Sequence, residues 1–70
     1  MMEKGKAVEG KVIEALPGLT FRVKVNGVEG EVLSHLAGKM KIHNIRVLPG
    51  DTVLLEMSPD GHRARIVRRL

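Results

Sequence analysis

Leu36-Ala37-Gly38-Lys39-Met40-Lys41-Ile42-His43-Asn44, residues 36–44, is the stretch of this chain that does not alternate as a strand. It holds a glycine but no proline, and its Lys-Met-Lys-Ile centre predicts a single turn of helix or an ordered loop. The runs on either side read as short strands, so the place of this insert among them decides the fold. N-terminal to it, Thr20 to Val25 puts Phe21, Val23 and Val25 on one face and Thr20, Arg22 and Lys24 on the other, the two-residue period of a half-buried strand. Val8 to Leu16 is rich in β-branched residues, but its alternation slips between Val12 and Ile13, and Gly10 lies inside the run, which together predict a bulge or sharp bend. Pro17-Gly18 predicts the turn into the second strand. Asn26-Gly27, able to take positive φ at two consecutive positions, predicts the turn into a third strand from about Glu31 to His35, with Glu29-Gly30 as a second possible turn. C-terminal to the insert, Leu48 to Asp51 is a turn that launches a fourth strand, Asp51 to Met57. After Ser58 to Gly61, a fifth runs from Arg63 to Arg69. Its period places Arg63, Arg65, Val67 and Arg69 on one face and Ala64, Ile66 and Arg68 on the other.

Five strands with a small helical insert between the third and fourth predict an all-β, five-stranded Greek-key barrel, the oligonucleotide-binding (OB) fold. Closure would remove most of the exposed edges an open sheet leaves. An SH3-like barrel has a similar strand count, and the longer third-to-fourth connection favours the OB reading.

A chain of 70 residues makes one domain, 1–70, with residues 1–5 expected to be flexible. It contains no cysteine, and His35, His43 and His62 lack a metal-motif spacing, so neither disulfide, zinc nor redox chemistry is expected. A hydrophobic content of 43% beside 29% charged residues is that of a folded domain. No apolar run approaches the roughly 20 residues that span a bilayer. A cytoplasmic monomer without a membrane partner is therefore expected. Ser34 and His35 are adjacent on a strand and diverge to opposite faces, so they cannot pair as nucleophile and base; no enzymatic role and no cofactor are expected.

The net charge of +4 is unevenly placed. Residues 1–31 balance five cations with five acids. Residues 32–50 carry Lys39, Lys41 and Arg46 and no acid, and residues 61–70 carry Arg63, Arg65, Arg68 and Arg69 unopposed. Such clustering is the footprint of a polyanion docking on one side. Phe21 is the sole aromatic, so base stacking cannot be the main mode of binding.

These residues resemble a family almost from end to end: bacterial translation initiation factor one, a single OB-fold domain. The likeness runs through Glu9, Gly10, Val12, Glu14, Leu16 and Pro17, then Phe21-Arg22-Val23, then His35. Its most specific part is Gly38-Lys39-Met40-Lys41, Ile45-Arg46 and Pro49-Gly50-Asp51 at these spacings. The resemblance implies a factor that sits in the decoding (A) site of the small ribosomal subunit. There it would contact ribosomal RNA and a neighbouring ribosomal protein, block premature tRNA entry, and act beside initiation factors two and three, with no reaction catalysed and no cofactor. The chain departs from the family pattern at Ile42-His43-Asn44, where a cation, an asparagine and an aromatic are usual. It departs again at Arg68, which replaces a usual aromatic, and in a second hairpin about one residue longer. Fewer aromatics and more charge shift the expected contacts toward phosphates.

The expected RNA-binding set is Lys39, Met40, Lys41, Arg46, Arg65 and Arg69. Lys39, Lys41 and Arg46 form an acid-free loop suited to phosphates, and Arg65 and Arg69 form an array on one strand face. Met40 reads as a wedge against a base or as an anchor of the loop, with the anchor preferred. Arg68 is left outside the set, its stem expected at the barrel rim and its head in water. The competing reading is a general single-stranded RNA binder or RNA chaperone of cold-shock type, a class that relies on surface aromatics.

Overall fold

In a computed structural model, which describes residues 7–70, the chain forms β1 (Ala7–Leu16), β2 (Thr20–Val25), β3 (Glu31–Leu36), α1 (Gly38–Ile42), β4 (Thr52–Met57) and β5 (Arg63–Arg69). The strands close into one barrel in the order β1-β2-β3-β5-β4. β3 and β5 run parallel and the other neighbours antiparallel, the pattern of the five-stranded OB barrel. A parallel pair cannot be joined by a hairpin; here α1 and β4 supply the crossover. The expected flexibility of residues 1–5 lies outside the described residues. No helix among the described residues is long and apolar enough to cross a membrane.

Alternation builds the core as the sequence predicts. Phe21, Val23 and Val25 of β2, Val32 and Leu36 of β3, Val53 and Leu55 of β4 and Ala64 and Ile66 of β5 are all buried. Ser34, also buried, donates its hydroxyl to the Val32 carbonyl at 3.3 Å, while His35 beside it is exposed, so the two do diverge. At Gly10, β1 passes close to its neighbours. A Cβ there would lie 2.8 Å from Val23 Cγ1 and 2.9 Å from Leu55 Cδ1, two side chains fully enclosed in the core, so only a residue without a side chain fits.

The strands carry two interruptions. In β1 the register against β2 shifts between Val12 and Glu14, which leaves Ile13 as an extra residue, 45% exposed. This is the bulge that the slipped alternation predicts. In β5 the register against β4 jumps from Leu55 opposite Ile66 to Leu54 opposite Arg68, so Val67 is the extra residue. This second bulge corrects the expected faces of β5. Arg68 lies opposite the outward Leu54 rather than on the barrel-facing side, and Arg69 lies opposite the buried Val53 rather than in line with Arg65. Turn chemistry is also corrected in part: Gly27 takes positive φ at +83° and Asn26 does not, whereas Leu19 takes φ +57° at the exposed tip of the β1–β2 connection.

Candidate nucleic-acid interface

One end of the barrel is built around α1. This five-residue helix has no side-chain cap at Ala37 and is too short to hold itself. It is pinned at its start by the Ala37 N–H, which donates to the Ile66 carbonyl at 2.9 Å, and in its middle by Met40, 1% exposed in the core. Met40 is thus the anchor of the loop. A side chain so buried offers no wedge to a base. The helix ends in a left-handed cap. Asn44 takes φ +55°, its N–H donates to the Lys41 carbonyl, and the Ile45 N–H reaches back to the Met40 carbonyl, both at 3.1 Å. An asparagine just after a helical run is the sequence signal for this cap.

The cap reverses the chain so that Arg46 comes back beside the end of β5, where the Arg69 guanidinium donates from Nη1 to the Arg46 carbonyl at 3.1 Å. Leu48 to Asp51 then turns the chain into β4. The Asp51 carboxylate accepts the Leu48 N–H at 2.8 Å, and Gly50, at φ +97°, donates its N–H to the Val12 carbonyl at 2.7 Å.

Lys39, Lys41, Arg46 and Arg69 are brought together around α1, all exposed, with Arg68 joining them across the β5 bulge. Among the described residues none of the five forms an ion pair. Two depressions flank the helix. One holds Lys41, Asn44 and Arg46 beside the exposed Leu19, and the other lies between α1 and β5. Unpaired cations around concave ground raise the local positive potential that draws a polyanion.

Arg65 is not part of this group. It lies next to His35 on β3 and donates from Nη2 to Glu56 Oε1 at 2.6 Å, in a separate depression toward the 58–62 turn. Arg22 is likewise bracketed, 3.4 Å from Glu14 and 3.6 Å from Glu31. Arg68, which the sequence reading leaves outside the set, and His43, Asn44 and Leu19, which it does not place in the set, also line this end. Ile66-Val67 repeats the doubled β-branched signal of Val12-Ile13, and it marks the bulge that frees Arg68.

The sequence matches, over residues 1–70, the family described as translation initiation factor 1A / IF-1. The chain belongs to this family. Among solved structures it is similar to the translation initiation factor IF-1 from the Wolbachia endosymbiont strain TRS of Brugia malayi. That match has 43% sequence identity and a TM-score of 0.73, covering 93% of this chain and 77% of that one. It also matches YjeQ from Thermotoga maritima at 20% identity and a TM-score of 0.74, over 93% of this chain and 23% of that one, a likeness of fold alone. Membership of the IF-1 family gives the protein a role in translation initiation.

Proposed function

We propose that this protein binds the decoding (A) site of the small ribosomal subunit through ribosomal RNA, blocks premature tRNA entry there, and assists initiation factors two and three. It acts in the cytoplasm as a monomeric single domain, 1–70, makes a further contact with a neighbouring ribosomal protein, and works by occupancy rather than by catalysis, with no cofactor. The observation that carries the reading is the group of unpaired cations at the α1 end, in a chain whose sequence matches the initiation factor family throughout. Lys39, Lys41, Arg46 and Arg69 are the residues that neutralise phosphates. Arg65, held by Glu56, contributes at the edge of the interface, and Met40 contributes by fixing the loop.

Phosphate contacts supply affinity and position, not sequence preference. Specificity in this reading therefore comes from fitting the barrel end to a folded RNA surface. The cold-shock alternative needs exposed aromatics for unstacked bases, and Phe21 is 5% exposed in the core. The test is equilibrium binding of the labelled protein to purified small subunits over a salt series, with unstructured RNA of matched length as competitor. Saturable binding at one site that resists the competitor and weakens with salt supports the reading. Equal competition per site by the unstructured RNA overturns it in favour of a general RNA binder.

A further inference from the structure

The depression between α1 and the end of β5 has a volume of about 580 Å³, and it differs from the rest of the cationic end in its construction. Lys39 and His43 stand one helical turn apart on its α1 side, and Arg68 and Arg69 stand on its β5 side. Met40, Ile45 and Val67 supply an apolar floor. No acidic residue lines it. The bulge at Val67 turns Arg68 outward, opposite Leu54, and Arg68 and Arg69, at the end of the strand beyond it, both border the depression. Arg69 is held in place by the Arg46 carbonyl, so part of the ordering cost of binding is met before a ligand arrives.

We propose that this depression is a phosphate subsite. Arg68, together with Lys39, His43 and Arg69, takes one phosphate of an RNA chain, and the adjoining ribose rests on the apolar floor. The planar guanidinium of Arg68 supplies the directed, charge-assisted bonds, and the lysine supplies a point charge. The subsite rests on the RNA-binding reading above and adds to it a residue, Arg68, and a ligand group. A free nucleotide presents the same phosphate-ribose chemistry, so the test has two arms.

In the first arm, wild type, Arg68→Met and Arg68→Lys are compared for small-subunit binding across a salt series, with circular dichroism to verify the fold. Methionine keeps an unbranched apolar stem and removes the charge. It is expected to weaken binding about tenfold and to lower the slope of log affinity against log salt by about 0.7 to 0.9, the signature of one lost phosphate contact. Lysine is expected to keep the slope. An Arg68→Met variant indistinguishable from a wild type that binds normally overturns the subsite and leaves the proposed function standing. In the second arm, the free protein is titrated with uridine 5′-monophosphate and with uridine, followed by amide and side-chain NMR. Shifts confined to Lys39, His43 and Val67 to Arg69, with uridine inert, support the subsite even where the wild type fails to bind small subunits, a failure that would overturn the proposed function. No shift, or equal shifts with uridine, overturns the subsite.

Discussion

Arg22 and Arg69 are both exposed arginines on strands of the same barrel, and the barrel treats them in opposite ways. Arg22 sits on the outer face of β2 between Glu14 and Glu31, its charge answered twice. Arg69 sits at the α1 end, where a carbonyl orients its guanidinium without neutralising it. On the barrel wall Arg22 and Arg65 are taken up in exposed ion pairs worth about 0 to 1 kcal/mol each, and the cations of the α1 end stay available. Net charge alone therefore says little about where a polyanion docks; the distribution of carboxylates among cross-strand neighbours says more.

The most drastic way to break this comparison is to remove the scaffold both regions share. Phe21→Ala empties a core position and is expected to cost about 3 to 5 kcal/mol of stability, seen as a large fall in the thermal midpoint. A melt that hardly moves would mean that Phe21 carries little of the core. Next in size is the combined replacement of Lys39, Lys41 and Arg46 by alanine. It is expected to weaken small-subunit binding on the order of a hundredfold and to reduce the salt slope by about two, with a normal circular dichroism spectrum. Unchanged affinity would detach the α1 end from function.

Arg22→Ala sharpens the contrast from the other side. Breaking its two exposed pairs should change stability by less than about 1 kcal/mol and leave subunit affinity where it was. A loss of affinity comparable to that of an α1-end cation would erase the distinction between the two regions.

The smallest effect concerns the turn that carries the chain into β5. The Asp60 carboxyl is held below its ordinary value chiefly by the Ser58 hydroxyl, and further by the His62 N–H at 3.0 Å. A depressed carboxylate stabilises the fold above the unfolded pKa and loses that contribution as pH falls through the folded one. The Asp60 contribution to the 58–63 turn should accordingly be lost only as pH falls below the ordinary carboxylate range, read from the Gly61 amide signal in an NMR titration. Ser58→Ala should move that loss to higher pH.

Much of this was legible in the chain itself. The clean period of Thr20 to Val25 announced a half-buried strand, and the doubled Val12-Ile13 announced a bulge, because side-chain alternation is a local property of extended backbone. The same doubling at Ile66-Val67 went unread beside the regular spacing of arginines in β5, and with it went the correct faces of Arg68 and Arg69. Asn44 likewise hid its role as a helix cap inside a loop noted for its charge.

By itself the sequence determined the five strands, the helical insert and the crowding of basic residues into two segments, since each follows from residue type and short-range spacing. Only the tertiary structure decided which cations remain free. Arg22 meets its two carboxylates, and Arg65 its one, across antiparallel pairings of consecutive strands, where the register decides which residues come face to face. Arg69 reaches Arg46 only once β5 has bulged and α1 has been capped. Register between strands is set by the packing of the whole barrel, and it is register that turns a list of charges into a surface.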